Sequence, residues 1–196
     1  MEYILATHNP GKAREFAAMF ADKGLKLHTL SDVGFHAEIP EDGATFEANA
    51  LIKATAVRDW LAQNAGPALP VLADDSGLVV DALDGRPGVH SARFMGDAPQ
   101  AEKNLALLAQ LAGVPAEQRT ARFVCVLACA WPDGRTHTTC GTLEGRIALQ
   151  PEGEEGFGYD PIFWLPAQGR TLAQLSSTEK NQISHRRAAL AQFLKD

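Results

Sequence analysis

Two adjacent carboxylates interrupt the apolar run Leu72-Ala73-Asp74-Asp75-Ser76-Gly77-Leu78-Val79, which otherwise has the pattern of a buried β-strand. Burying an ionised carboxylate costs free energy unless a cation or several hydrogen-bond donors surround it. Because neighbouring residues of a strand point to opposite faces, Asp74 and Asp75 cannot readily serve each other. We therefore expect something outside the run, such as a metal ion, to compensate at least one of them. The alternative is a strand end with a turn, since Asp, Ser and Gly are common turn residues.

The composition is that of a globular protein with a net negative charge. The 196 residues suit one domain or two tightly joined lobes, and we predict a single domain over 1–196. A formal net charge of -6 without a visible basic stripe argues against a nucleic-acid polymer as partner. A small phosphorylated ligand is compatible with this charge, because it needs only a few local cations.

The sequence indicates a cytoplasmic protein without a membrane anchor. Its start lacks the features of a signal peptide, and no apolar run approaches membrane-spanning length. Three cysteines, Cys125, Cys129 and Cys140, do not make a disulfide framework. A zinc site at Cys125 and Cys129 is conceivable, but small buried thiols fit the spacing better.

Turn residues and apolar periodicity predict that the chain opens with alternating strands and helices. A strand over 3–6 leads to a helix that Asn9 caps and Gly24 ends, and a second strand covers 25–30. After the polar loop 34–44 we expect a long helix with one apolar stripe, formed by Phe46, Ala50, Ala54, Val57 and Leu61. The strand with the acidic doublet follows it.

The second half combines a hairpin with further helices. Asp97 and Gln100 resemble a capping box before a helix that runs to Gly113. Strands over 122–131 and 136–145 form an antiparallel hairpin, and another short strand covers 162–165. The C-terminal helix signals are two capping-box patterns, Thr171 with Gln174 and Ser176 with Glu179. Because helices interleave with both parallel-type and hairpin strands, we predict an α/β fold with a mixed sheet.

The segment Thr7-His8-Asn9-Pro10-Gly11-Lys12 is a candidate phosphate site at the start of the first helix. A helix N-terminus offers N–H groups and a positive dipole end to an anion, and Thr7, Asn9 and Lys12 add further donors. The alternative is a well-capped helix with one exposed lysine.

Glu41 and the doublet Asp74-Asp75 form a candidate metal site. Mg²⁺ prefers oxygen ligands and commonly takes one or two carboxylates together with substrate phosphates. These acids are far apart in sequence, so their meeting is a hypothesis. The alternative for Glu41 is a solvated acid in a loop.

The third candidate site combines C-terminal cations with an aromatic loop. Ser184 is placed to cap a helix that holds His185 and Arg186 at its start, where cations oppose the helix dipole and so indicate a nearby anion or polar ligand. Phe157 lies between two glycines and fits a flat stacking surface for a base. The alternatives are a solvated cationic face and a loop anchor that packs inward. Together, the three candidate sites describe a nucleoside triphosphate site.

These motifs resemble the non-canonical purine NTP pyrophosphatases, also called inosine triphosphate or dITP/XTP pyrophosphatases. The matching stretches follow the family's order along nearly the whole chain and are Thr7–Lys12, Thr45–Ala50, Ala73–Leu78, Pro87–Arg93, Phe157–Pro161, Glu179-Lys180 and Ser184-His185-Arg186. His8 is a departure, because the family commonly has glycine at this position of its first loop.

The resemblance implies an activity and an architecture. The activity is hydrolysis of inosine, deoxyinosine and xanthosine triphosphates to the monophosphate and pyrophosphate, which removes deaminated purines from the nucleotide pool. The resemblance also implies Mg²⁺ dependence, a homodimer, and an elongated two-lobed fold whose mixed sheet is flanked by helices and whose site lies in a central cleft.

The resemblance also suggests residue roles, which are hypotheses. Asp75 activates the attacking water, and Glu41 and Asp75 bind the metal. Phe157 stacks on the base, while Asp160, Lys180, His185 and Arg186 line its pocket. The full set of expected substrate-binding residues is Thr7, His8, Asn9, Pro10, Gly11, Lys12, Lys53, Ser76, Phe157, Gly158, Tyr159, Asp160, Lys180, His185 and Arg186.

Two other functions stay open from the sequence. One is a nucleotide-binding regulatory module without catalysis, against which the acidic doublet argues, because carboxylates near phosphate are useful only with a metal. The other is a Maf-like nucleotide pyrophosphatase that acts on other bases, against which Ser184-His185-Arg186 argues.

Overall fold

The computed structural model describes residues 1–195 as a mixed α/β fold. The strands are β1 (Glu2–Leu5), β2 (Lys26–Thr29), β3 (Val71–Val80), β4 (Thr120–Ala130), β5 (Thr136–Ile147), β6 (Phe163–Leu165) and β7 (Arg170–Thr171). The helices are α1 (Pro10–Ala21), α2 (Phe46–Gln63), α3 (Gln100–Gln110), α4 (Ser177–Ile183) and α5 (His185–Phe193). Within the described residues, no helix is both long and apolar enough to cross a membrane.

The strands form one mixed sheet, as predicted. Their order is β2-β1-β3-β4-β5-β6-β7. β1 pairs in parallel with β2 and β3, whereas β6 pairs antiparallel with β5 and β7. The predicted hairpin is confirmed, since β4 and β5 are neighbours and Trp131 N donates to Arg135 O at 2.9 Å across their turn.

One predicted helix start is wrong. Helix α3 begins at Gln100 behind Pro99, whose side chain makes no capping hydrogen bond, so Asp97 and Gln100 do not form a capping box. Asp97 lies too far before the first turn, and Pro99 suits the position ahead of a helix because its φ is fixed. The two C-terminal capping boxes are confirmed, although the one at Thr171 caps only the 3-10 turn Leu172–Gln174.

The chain divides into two compact units, each built from separate segments. Unit 1 contains residues 1–75, 125–141 and, within the described chain, 186–195. Unit 2 contains Ser76–Val124 and Thr142–His185. Strands β3, β4 and β5 and helix α5 therefore each contribute residues to both units.

The sheet of unit 1 is buried on both faces because alternate strand residues join two different cores. On one face, Ile4, Val71 and Ala73 pack against α2. The predicted stripe of α2 is confirmed there, with Ala50, Ala54, Val57 and Leu61 buried and Phe46 packed against them. On the other face, strand residues pack against α1 and α5, and this core includes Tyr3, Leu5, Leu72, Phe16, Phe20 and Leu190.

This arrangement gives unit 1 the point at which open α/β sheets commonly bind ligands. The connection from β1 to β2 through α1 covers one face, and the connection to β3 through α2 covers the other. In open α/β sheets, ligands bind beyond the carboxyl ends of the strands where the winding direction changes. In unit 1 that point lies between the parallel neighbours β1 and β3. Residues 7–12 follow β1 there, and Asp74 and Asp75 lie on β3 past its pairing with Leu5.

Unit 2 has a single core between its strands and α3. The core includes Leu78, Val80, Phe123, Ile147, Phe163, Leu107 and Leu111. The buried Arg119 closes one end of it, because its guanidinium donates to the carbonyls of Leu111, Val114 and Ala148.

The predicted interpretation of the cysteines as buried thiols is confirmed for two of them. Cys125 and Cys129 lie in a core of unit 1, whereas Cys140 is exposed. Burial raises the pKa of Cys129 to about 12 and also raises the pKa of Cys125. Among residues 1–195, no group of three or more His, Cys, Asp or Glu side chains is placed to hold a metal.

We expect residues 1–196 to unfold as one domain. Strands β3, β4 and β5 each contribute residues to both units, so melting either unit removes hydrogen-bond partners from strands of the other. Calorimetry should show one transition whose van't Hoff enthalpy equals the calorimetric enthalpy. Two separable transitions would show instead that the units fold independently.

Candidate active site

Asp74 lies among cations on the face of β3 that α1 and α5 cover. Lys12 Nζ is 2.9 Å from Asp74 Oδ2, and Arg186 Nε is 3.6 Å from the same oxygen. Arg186 also donates to Glu15 Oε2 at 2.9 Å. Burial would raise the pKa of Asp74, but the charges of Lys12 and Arg186 outweigh burial and hold this pKa well below its ordinary value.

Asp75 lies on the opposite face and meets α2. Asn49 Nδ2 donates to Asp75 Oδ2 at 3.1 Å, and Lys53 Nζ is 3.6 Å from Asp75 Oδ1. The same ammonium is 2.7 Å from Glu41 Oε1, so the predicted meeting of Glu41 with the doublet occurs through Lys53. The expectation that something outside the run compensates at least one carboxylate is confirmed, and both Asp74 and Asp75 have such partners.

Asp75 and Lys53 have pKa shifts with different physical causes. Burial raises the pKa of Asp75, and the nearby Lys53, Lys12 and Asn49 only partly offset that effect. Burial alone would lower the pKa of Lys53, but the charges of Asp74 and Asp75 and the hydrogen bond with Glu41 raise it. Asp75 is therefore the better proton acceptor of the doublet, while Lys53 stays charged.

We call these groups the carboxylate–cation cluster, and its members are Lys12, Lys53, Arg186, Glu15, Glu41, Asp74 and Asp75. All lie in unit 1. Three cations and four carboxylates leave one net negative charge when all are ionised.

The segment before α1 is organised by Asn9. Its Oδ1 accepts from Gly11 N at 2.9 Å and from Lys12 N at 3.1 Å, which confirms the predicted cap. The expectation that these N–H groups are available to an anion is therefore wrong, because Asn9 already satisfies them. The alternative of an exposed lysine is also wrong, since Lys12 pairs with Asp74 and its side chain is 14% exposed.

Thr7 and His8 stabilise the same segment. Thr7 Oγ1 accepts from Asn9 N at 3.2 Å. His8 Nε2 hydrogen-bonds the carbonyl of Ala37 at 3.1 Å, which ties this segment to the loop that carries Glu41. The side chain that departs from the family pattern thus has a contact within unit 1.

In unit 2, Phe157, Asp160 and Lys180 form a second group, here called the Phe157 cluster. The Phe157 ring is half-buried, and Lys180 Nζ lies 4.5 Å from its centroid. Asp160 Oδ2 accepts hydrogen bonds from Phe157 N, at 2.8 Å, and from Lys180 Nζ. The buried His185 stacks on Phe123 with ring centroids 4.9 Å apart and an angle of 12° between the planes.

The expected site residues therefore fall into two groups. Unit 1 holds Thr7, His8, Asn9, Pro10, Gly11, Lys12, Glu41, Lys53, Asp75 and Arg186. Unit 2 holds Ser76, Phe157, Gly158, Tyr159, Asp160, Lys180 and His185. Arg186 was expected with His185 around a base, but its contacts are with Asp74 and Glu15. The hydroxyl of Tyr159 donates to Ser91 O at 2.8 Å, a contact that stabilises the fold of unit 2.

Two residues of this region were not on the list expected from sequence. Asn49 holds one oxygen of Asp75, and Glu15 holds Arg186. A signal for Glu15 exists, because it shares the apolar face of α1 with Phe16 and Met19 and lies three residues after Lys12. A charged residue on a buried helix face needs an oppositely charged partner, and for Glu15 this partner is Arg186.

Comparison with known proteins assigns the chain to a family. The model of the Ham1 family matches residues 3–196. The chain belongs to the Ham1 family. It is 52% identical over 193 residues to a dITP/XTP pyrophosphatase of Geobacillus kaustophilus, an alignment that covers 98% of this chain and 92% of that protein. A dITP/XTP pyrophosphatase of Bacillus subtilis is 48% identical over 195 residues, with coverages of 99% and 96%.

A solved Ham1 structure shares the fold. The Ham1 protein of Staphylococcus aureus superposes with a TM-score of 0.84 at 40% sequence identity, covering 100% of this chain and 98% of that one. The recognition of the pyrophosphatase family from sequence motifs is therefore confirmed, as is the mixed α/β fold.

The two members of the acidic doublet should affect stability differently. At pH 7, Asp74→Asn leaves Lys12 without its carboxylate and Arg186 with Glu15 alone, so we expect a loss of about 3 kcal/mol and a fall in Tm of roughly 6–12 °C. Asp75→Asn replaces a carboxylate whose ionised form burial disfavours, so Tm should stay equal or rise. Asp97→Asn, the same change at an exposed residue, is the control and should leave Tm nearly unchanged.

The pH dependence follows from the signs of the two pKa shifts. The contribution of Asp74 is complete above its ordinary pKa of 3.8 and is lost as pH falls through the lower pKa of the folded state. The Tm difference between the parent protein and Asp74→Asn should therefore stay constant from pH 7 to about pH 5 and shrink as pH falls below 3.8. The cost of Asp75 is absent below 3.8, so any gain from Asp75→Asn should vanish there too. A larger Tm loss for Asp75→Asn than for Asp74→Asn at pH 7 would contradict this assignment.

Proposed function

We propose that this chain hydrolyses dITP, ITP and XTP to the corresponding monophosphate and pyrophosphate, and so removes deaminated purines from the nucleotide pool. The identity of about half of its residues to dITP/XTP pyrophosphatases over nearly the full chain carries this proposal. The position of Asp74 and Asp75 on β3, beside the segment that follows β1, supports it.

The carboxylate–cation cluster binds the triphosphate. Lys12 and Lys53 are held in place by Asp74, Glu41 and Asp75, so their ammonium groups are oriented before the substrate arrives. They offset the negative charge that develops around the α-phosphorus. The side chains of Thr7, Asn9 and Ser76 supply further contacts to the phosphate chain.

Mg²⁺ is the proposed cofactor, and the donor set fits it. Glu41 and Asp75 both contact the ammonium of Lys53, so their oxygens already converge on one positively charged group. The cluster has one net negative charge and would by itself repel a triphosphate, so a divalent cation is needed to bind it. Glu41 and Asp75 would hold Mg²⁺, which, when bound, neutralises phosphate charge and makes water more acidic.

Asp75 is the proposed general base. It accepts a proton from water, whose oxygen then bonds to the α-phosphorus while the bond from that phosphorus to the bridging oxygen breaks and pyrophosphate leaves. A raised pKa makes a carboxylate a better proton acceptor, because general-base efficiency increases as the pKa approaches the working pH. Asn49 and Lys53 each contact a different oxygen of Asp75 and fix its orientation.

The base is bound by unit 2. Phe157 stacks on it, and Lys180 and His185 supply donors to the 6-keto oxygen of hypoxanthine or xanthine. Adenine carries a 6-amino donor at this position. The donor that faces it would then lose its hydrogen bond to the base, which costs roughly 1–3 kcal/mol or more.

The assembly and location are also part of the proposal. We expect a homodimer in the cytoplasm, where nucleotide pools are used. Light scattering at micromolar concentration should give twice the 21.0 kDa mass of the chain.

A substrate panel tests the activity. With Mg²⁺, pyrophosphate release from dITP, ITP and XTP should exceed release from ATP by at least about 10-fold, because only the keto bases pair with the donors. GTP completes the panel, and EDTA should abolish all release. Binding of dITP without release from any substrate would favour a regulatory nucleotide-binding module instead.

Replacing the proposed base tests the mechanism. Asp75→Asn should lower kcat for dITP by about 10²-fold or more, because the variant has no carboxylate to take the proton. Circular dichroism and Tm should show a folded protein. Asp97→Asn, an exposed acid outside the cluster, should keep full activity. Near-normal pyrophosphate release by folded Asp75→Asn would overturn the role of Asp75.

A further inference from the structure

Asn104 of α3 is a buried polar residue that bonds to the loop carrying Phe157. Its side chain is buried, with the residue only 3% exposed. Its Nδ2 donates to Gly158 O at 3.2 Å, and its Oδ1 accepts from Gln100 Nε2 at 3.0 Å. Asn104, Phe157 and Gly158 all line one cavity of about 490 Å³ within unit 2.

The backbone around Phe157 needs such anchors because it is flanked by glycines. Gly156 and Gly158 adopt φ angles of +77° and +64°, in the left-handed region. Glycine reaches many other conformations at similar energy, so the local backbone preferences alone do not fix the position of the Phe157 ring. Two side chains select it, since Asp160 accepts from Phe157 N and Asn104 donates to Gly158 O.

We propose that Asn104 is a positioning residue for the Phe157 ring, and through the ring for the base of the substrate. This inference rests on the proposed function, in which Phe157 stacks on the base. Asn104 fixes the carbonyl directly after Phe157 from a helix that belongs to the core of unit 2. Loss of the bond lets the Phe157–Gly158 segment turn, and the ring then spends less time in the stacking position.

This role has a kinetic signature that differs from the role of the polar base-pocket residues. Stacking on an aromatic ring is tolerant of base identity, because every base has a π-face. A weakened stack should therefore raise KM for dITP and dATP by the same factor and leave their selectivity ratio unchanged. The carboxylate–cation cluster is untouched, so kcat and inhibition by tripolyphosphate should also stay the same.

The test uses Asn104→Asp and Asn104→Ala in the full chain. Asn104→Asp puts an acceptor oxygen against the carbonyl of Gly158, and Asn104→Ala removes the donor without adding repulsion. We expect KM for dITP and dATP to rise by about 10-fold in the aspartate variant and somewhat less in the alanine variant. We expect kcat and the tripolyphosphate inhibition constant to change by less than about 2-fold.

Two controls separate positioning from a general loss of stability. Ile147→Val shortens a buried core residue of unit 2 and should lower Tm while leaving KM unchanged. In a Phe157→Ala background, Asn104→Asp should raise KM by less than about 2-fold more, because its target ring is gone.

The outcomes distinguish this inference from the function on which it rests. If the parent protein releases no pyrophosphate from dITP, the proposed function is wrong and the role of Asn104 falls with it. If the parent protein is active and both Asn104 variants keep its KM, the inference alone is wrong. The inference is also overturned if either Asn104 variant changes the selectivity between dITP and dATP. It is overturned as well if Asn104→Asp raises KM by the full factor in the Phe157→Ala background.

Discussion

Two neighbouring carboxylates in a buried strand impose a constraint that organises unit 1. Asp74 and Asp75 point to opposite faces of β3, so each needs its own positive or hydrogen-bonding partners on its own side. Lys12 and Arg186 supply them on one face, and Lys53 and Asn49 supply them on the other. Helices must therefore cover both faces of the sheet at this point, which the β2-β1-β3 order with α1 and α2 provides.

The same constraint gives the two carboxylates different roles: Asp74 stabilises the fold, and Asp75 is the proposed general base. Asp74 is surrounded by cations that outweigh its burial, so the folded chain stabilises its ionised form. Asp75 has partners that do not fully offset burial, so its charge is disfavoured and it has a greater tendency to accept a proton. Adjacent residues of one strand thus acquire different properties only because they face different helices. Functional sites commonly include such disfavoured groups at some cost in stability.

Local features of the chain were largely predictable from sequence. The apolar stripe of α2, the Asn9 cap, the hairpin and both C-terminal capping boxes depend on residues a few positions apart, whose spacing indicates the structure directly. The Asp97 pattern failed because Pro99 moved the helix start. Contacts between distant residues could not be predicted in this way. Glu15 and Arg186 are 171 positions apart, and no residue near either one in the sequence identifies its partner.

The most direct test of this account is a carboxyl ¹³C NMR titration, with Asp74→Asn and Asp75→Asn used to assign the two resonances. We expect Asp74 to titrate well below the ordinary aspartate pKa of 3.8 and Asp75 to titrate above it. If both residues titrated near 3.8, or if their order were reversed, the opposite faces of β3 would not provide the different environments on which the proposed division of roles depends.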